Sequence, residues 1–189
     1  MDTNFIKKYP WLKAYDPYPE GEDDVYCALD DMPQGWRAAF GDIMCEELDA
    51  VIKRLGIENE FHIVQVKEKY GQLRFYYEPM MPEIEDIVRK YETISEHVCC
   101  FCGKIDVAMV TAGWVSPYCK DCATKMRLCS DEKYNEFMKE SGMTPNEVVF
   151  RQYKPGQSGW DEIHQDISET VERIRKENAE RIVEVSDEL

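Results

Sequence analysis

Four cysteines arranged in two pairs constrain the fold of this chain more than any other feature. Cys99 and Cys102 form the first pair, Cys119 and Cys122 form the second, and the spacing is C-x2-C-x16-C-x2-C. Four thiolates at such a spacing are typical of a tetrahedral zinc site. We therefore predict one structural Zn²⁺ held by these four residues. A closed site of this kind leaves no ligand position for water, which favours a structural role over a catalytic one.

The pattern leaves two alternatives open. Cys100 could replace Cys99, although only one residue separates it from Cys102 and the two pairs would then differ in spacing. Short apolar runs between the pairs predict a small hairpin, and the segment after Cys119 has helical propensity. A knuckle, a hairpin and a helix in this order resemble the treble-clef class of zinc fingers, whereas a second knuckle at the second pair would resemble a zinc ribbon.

The distribution of all the cysteines favours metal binding over disulfides. The chain has eight, and six of them lie between residues 99 and 129. The N-terminus has no basic region followed by an apolar stretch, and no apolar run approaches the length of a membrane span. We therefore expect a cytoplasmic protein without a membrane segment. Cys27, Cys45 and Cys129 are isolated, and we assign them no role.

Apolar periodicity predicts an α+β fold in which helices pack with a β-hairpin. Residues 36–55 place apolar side chains at steps of three and four, and Gly56 follows as a C-terminal cap. Residues 61–77 read as two strands joined by a turn at 70–72, and residues 82–98 read as a second helix. We predict an α+β domain at residues 1–98, a zinc module at 99–129 and a helical C-terminal extension at 130–189.

Weaker signals predict the remaining helices. Pro10 should break a short helix near the N-terminus, and Ser130 should cap a helix that ends before Gly142. A last helix should begin near Asp161, with a narrow apolar stripe formed by Ile163, Ile167, Val171 and Ile174.

The charge of the chain bears on its partners. Lys and Arg number 23, Asp and Glu number 38, and the net charge is −15. Such acidity disfavours a broad nucleic-acid-binding surface and favours a protein partner. The acidic residues concentrate at the two ends of the chain. If carboxylates of residues 20–31 and of the last helix shared one face, the protein could instead mimic nucleic acid and block a nucleic-acid-binding enzyme.

The predicted hairpin also carries a candidate binding surface, because basic and aromatic residues alternate along it. Such a surface could stack bases and contact phosphates, which makes direct nucleic-acid binding an alternative function. Ordinary packing of the aromatic rings would give the same pattern. The candidate residues are Lys67, Lys69, Tyr70, Arg74, Tyr76 and Trp114.

No constellation of residues indicates catalysis. The three histidines are His62, His97 and His164, and none lies between the cysteine pairs, where treble-clef nucleases need one. The sequence has no phosphate-binding loop, no nucleophile elbow and no HExxH motif. We therefore expect a protein that is not an enzyme.

Part of the sequence resembles a known group of proteins. Gly35-Trp36, the segment VKEKYGQLRFY at residues 66–76 and the first Cys-x-x-Cys-Gly are similar to small proteins of bacteria and their phages that have no established activity. The resemblance covers about half of the chain and implies a cytoplasmic setting and a phage or prophage origin. The resulting hypothesis is a non-enzymatic, zinc-stabilised protein-interaction module, such as a phage accessory or inhibitor protein.

Overall fold

A computed structural model describes residues 3–13, 26–105, 107–141 and 165–177. The fold is α+β, as predicted, with two separate antiparallel hairpins. The helices are α1 (Thr3–Lys8), α2 (Gln34–Trp36), α3 (Asp42–Leu55), α4 (Pro82–Ser95), α5 (Lys120–Lys125), α6 (Asp131–Ser141) and α7 (residues 165–177). The strands are β1 (His62–Lys69), β2 (Gln72–Glu78), β3 (Ala108–Thr111) and β4 (Val115–Tyr118).

One long helical run forms the centre of the core. A π-helical turn at Arg37–Gly41 joins α2 to α3. Gly56 caps the C-terminus in the left-handed conformation, with a φ of 70°, as the sequence predicted. The predicted apolar stripe is buried, and its fully enclosed members include Trp36, Phe40, Met44, Leu48 and Ile52. The sequence did not predict the π-helical turn.

The β1–β2 hairpin covers one side of this core. Its strands pair in the register Lys67↔Arg74, with a bulge between Ile63 and Gln65. Helix α4 lies along the outer edge of β2. Main-chain N–H groups at that edge donate to side chains of α4: Leu73 to Ser95 Oγ at 2.9 Å and Phe75 to Glu92 Oε1 at 3.4 Å. The edge of the sheet is thereby closed without a third strand.

The C-terminal helices attach at two different places. Helix α6 packs on β3, burying Tyr134 and Phe137, and Ser130 caps it as predicted. Helix α7 joins the main core through Ile174, which is fully buried. Lys90 on α4 reaches Glu47 and Asp166 at 2.5 and 3.3 Å and so ties α7 to the helices beneath it. The predicted start near Asp161, and Ile163, lie outside the described residues.

The prediction for the N-terminal helix is confirmed. Pro10 breaks the first helix as predicted, and Pro10–Leu12 form a 3-10 turn. At the end of the acidic stretch of residues 20–31, Ala28–Asp31 form another 3-10 turn that buries Leu29. The acidic run at residues 20–24 lies outside the described residues.

Candidate metal centre

The first cysteine pair lies on a tight knuckle that follows α4. Main-chain hydrogen bonds close the knuckle: the Cys99 N–H donates to Lys104 O at 2.7 Å, and the Gly103 N–H donates to Cys99 O at 2.9 Å. Gly103 has a φ of +78°, which few other residues adopt without strain. The knuckle therefore turns both sulfurs of the pair toward the same point.

The second pair lies at the start of a helix. Cys119 is the N-cap residue of α5, and Cys122 lies in the first turn. The β3–β4 hairpin connects the knuckle to this helix, and β4 ends immediately before Cys119. The observed order of knuckle, hairpin and helix is the one that resembles the treble-clef class.

The four sulfurs converge on one point. The Sγ atoms of Cys99, Cys102, Cys119 and Cys122 all lie within 4.8 Å of one another. Cys102 and Cys119 Sγ are 3.6 Å apart, far beyond the roughly 2.05 Å of a disulfide. Tetrahedral zinc, with Zn–S distances of about 2.3 Å, would place its sulfurs about 3.8 Å apart. The donor set and its size therefore fit a thiophilic metal ion.

The surroundings suit an anionic thiolate cluster. Three of the four cysteines are completely buried, and Cys119 is 6% exposed. Hydrogen bonds among the four thiols lower the pKa of Cys99, Cys102 and Cys119 and raise that of Cys122, so one proton is retained most tightly at Cys122. Lys104 Nζ, on the knuckle, donates to Asp121 at 2.7 Å, and that hydrogen bond raises the pKa of Lys104. Basic residues exceed acidic ones by two between residues 99 and 130, which opposes the charge of −2 that four thiolates and one divalent ion would carry.

Cys100 lies outside the sulfur cluster. Its backbone links the knuckle to two other segments: its N–H donates to Pro117 O at 2.9 Å, and its carbonyl accepts from Gly35 N–H at 3.0 Å. Burial raises the pKa of its thiol to about 12. The structure thus groups Cys99, and not Cys100, with the other three sulfurs.

The knuckle is packed directly on the main core. Gly35, in the first turn of α2, lies so close to it that an added Cβ would be 2.3 Å from Cys99 O and 2.7 Å from Gly103 N. Next to this contact, Trp36 Nε1 donates to the Val98 carbonyl at 2.8 Å. Gly35 was not predicted as a contact residue, although a glycine at the start of a helix, where other residues are better helix formers, is a usable signal.

The six candidate binding residues lie on and beside the β1–β2 hairpin. Lys67 and Arg74 face each other across the strands, and Tyr76 follows two residues later on the same side. Tyr70 forms part of the turn, and its ring stacks on Trp114 from the β3–β4 turn, with centroids 6.3 Å apart. The structure therefore brings Trp114 to the turn of the other hairpin. Arg74 is partly enclosed and lies 3.9 Å from Glu92.

Glu68 links the two hairpins, and sequence reasoning did not identify it. One of its carboxylate oxygens accepts the Gly71 N–H at 2.5 Å, and the other accepts the Trp114 indole N–H at 2.7 Å. Gly71 makes room for this junction, since Met109 and Val115 pack against it. No local sequence pattern indicates the contact between Glu68 and Trp114, because these two residues are 46 positions apart in the chain.

Comparison with known proteins identifies no family. No protein-family model matches the chain, and no curated protein or solved structure does so either. The described helices include none that is both long and apolar enough to cross a membrane. The fold and the site therefore define an α+β protein with a buried four-cysteine cluster that could hold one metal ion.

Proposed function

We propose that the cluster binds one structural Zn²⁺ and that the protein is a non-enzymatic interaction module. The observation that carries the proposal is the convergence of four buried sulfurs within 4.8 Å of one another. Four thiolates complete the tetrahedral shell that zinc prefers, so no position remains for a reactive water. The ion would stabilise the fold by joining the knuckle, the β3–β4 hairpin and α5, which are too small to form a core of their own.

The proposed module acts by holding a surface in place. The knuckle contacts α2 through Gly35, and the β3–β4 hairpin contacts the β1–β2 turn through Gly71. Loss of the ion would therefore disturb both the core and the exposed residues near Trp114. The net charge of −15 favours a protein as the partner of the acidic parts of the surface.

The described C-terminal helix gives little support to an acidic mimic of nucleic acid. Three of its four carboxylates are ion-paired within the molecule, Asp166 with Lys90, Glu172 with Arg175 and Glu177 with Arg173, while Glu169 accepts from the neutral amide of Gln165. Carboxylates paired in this way present little unbalanced negative charge to a basic partner.

Replacement of Cys119 by serine tests the metal site. The variant should lose most of its zinc, measured as metal per protein by mass spectrometry after dialysis, and should melt at a lower temperature. Cys129→Ser is the matched control, because Cys129 is a half-buried free thiol outside the cluster. Retention of one zinc and an unchanged melting temperature in Cys119→Ser would contradict the proposal.

A further inference from the structure

Aromatic rings are concentrated in solvent around the two hairpins. Among the described residues, four aromatic side chains are exposed, and three of them belong to these hairpins: Tyr70 at 66%, Trp114 at 59% and Tyr76 at 44%. Exposed aromatic side chains that cluster in this way mark interaction sites. We call these three rings, with Lys67, Lys69 and Arg74, the hairpin surface.

Two of the three rings of the hairpin surface, those of Tyr70 and Trp114, are held in fixed orientations. Tyr70 and Trp114 lie almost parallel, with an angle of 17° between their planes. The hydrogen bond from Trp114 Nε1 to Glu68 fixes the indole, and the second oxygen of Glu68 is bound by the turn itself. A ligand that stacked on these rings would find them already ordered, which reduces the entropic cost of binding.

Cations accompany the rings. Lys69 Nζ lies 5.6 Å from the centre of the Tyr70 ring, and Lys67 Nζ lies 5.3 Å from that of Tyr76. In the described part of the chain neither lysine pairs with a carboxylate, whereas Arg74 shares its charge with Glu92. Each lysine therefore offers a positive charge beside a flat ring.

We propose that the hairpin surface binds single-stranded nucleic acid, with bases stacked on Trp114, Tyr70 and Tyr76 and phosphates bound by Lys67 and Lys69. This inference names the partner of the proposed interaction module and rests on that proposed function, because the zinc module positions Trp114. Unpaired bases offer flat faces for stacking and phosphates within reach of the lysines. An acidic peptide would satisfy the lysines but leave the rings without a stacking partner. A duplex hides its bases from the rings.

The overall acidity of the chain does not prevent such a contact. Charges in solution are screened over about 8 Å at physiological ionic strength. Two carboxylates near the hairpin surface have defined partners: Glu68 accepts two neutral N–H donors, and Glu92 accepts from Phe75 and faces Arg74. Glu68 keeps its negative charge, but the three cations Lys67, Lys69 and Arg74 outnumber these two carboxylates on the hairpin surface.

Fluorescence anisotropy with the full chain tests the inference. The probes are a labelled oligothymidylate of about 12 nucleotides, within the range that one binding fold covers, and its duplex with oligoadenylate. A labelled oligoglutamate of similar length represents an acidic protein partner. We expect binding of the single strand to weaken between about 50 and 200 mM salt, with a logarithmic slope near −1.4 for two phosphate contacts.

Three variants localise the binding. Trp114→Ala should weaken binding by about fivefold or more, since one stacked base is lost. Lys69→Gln should reduce the magnitude of the salt slope by about 0.7, and Lys139→Gln, an exposed charge on α6, should leave it unchanged. No binding of the single strand, equal loss in all three variants, or tighter binding of oligoglutamate would overturn the inference.

Metal content measured on the same sample separates this inference from the proposed function. A protein that holds one zinc but fails to bind the single strand refutes only the nucleic-acid partner. A protein that binds the single strand normally after its metal has been removed refutes only the proposed role of zinc in holding the surface.

Discussion

Replacing Gly35 with alanine tests whether the metal site and the main core form one folding unit. The added Cβ would lie 2.3 Å from Cys99 O and 2.7 Å from Gly103 N, whereas ordinary contacts begin at about 3.4 Å. Both neighbours are backbone atoms, so rotation of a side chain cannot relieve the overlap. The helix or the knuckle must therefore move by about 1 Å.

The loss of stability can be estimated from the contacts that this movement disrupts. Overpacking of a well-packed site costs about 1–3 kcal/mol, and loss of the hydrogen bond from Gly35 N–H to Cys100 O adds about 1 kcal/mol. Alanine is a better helix former than glycine by about 0.5–1 kcal/mol, which offsets part of the cost. We expect a net loss of about 1–3.5 kcal/mol, or about 2–14 °C in Tm for a chain of this size. Metal affinity should fall by about tenfold, because the displaced knuckle carries Cys99 and Cys102.

The loss of stability is measured by denaturant unfolding of the zinc-loaded protein. The loss of zinc affinity is measured by competition with a chromophoric chelator. Gly41→Ala is the matched control. Its Cβ would meet only the Arg37 side chain, with Cγ at 3.5 Å and Cβ at 3.8 Å, both ordinary contacts, so the same substitution six residues later should be neutral or slightly stabilising. Equal stability and equal zinc affinity in the two variants would refute the tight contact between the knuckle and α2.

Two further predictions concern partly buried charges on α4 and at its C-terminal cap, Glu96. Burial raises the pKa of Glu96 to about 7, so the stability that its protonated form contributes is complete only below about pH 4.5, the usual pKa, and is lost as the pH rises through 7. Glu96→Gln should therefore raise Tm at pH 8 but not at pH 4.5. An equal gain in Tm at both pH values would show that the partly buried charge of Glu96 is not the cause. Lys90 bonds both Glu47 and Asp166, so Lys90→Met should loosen α7 and leave Glu47 unpaired, at a cost of about 1–3 kcal/mol. Hydrogen exchange should then quicken in α7 while the zinc content stays unchanged, and unaltered exchange would contradict this docking.

The sequence predicted the elements that depend on residues near one another in the chain. Cysteine spacing indicated which four sulfurs could converge, and the change of apolar period from 3.6 to 2 separated the helices from the β1–β2 hairpin. Capping residues such as Gly56 and Ser130 marked helix ends because each bonds within one turn of itself. Helix α4 ends at Ser95, short of the predicted residue 98, because the chain there already turns into the knuckle.

The contacts between distant segments could not be predicted in the same way. Gly35 and Gly103 meet across 68 residues, and glycine carries no periodicity that would reveal its neighbour. The stack of Tyr70 on Trp114 joins two turns that local rules treat separately. The predicted domain boundaries at residues 98 and 129 stay predictions, although α6, beyond the second boundary, packs on β3 within the module.

These distant contacts explain how a closed metal site could affect the surface without any chemistry of its own. Strand β4 begins at Val115, next to Trp114, and ends one residue before Cys119, so a single short strand joins the indole to the metal cluster. Because β4 pairs with β3 along its whole length, a displacement of Cys119 cannot be absorbed by a loop before it reaches Trp114. Glu68 then couples the indole to the β1–β2 turn. An ion at the cysteines would therefore fix the orientation of Trp114 and of the Tyr70 ring stacked on it, as the proposed function requires.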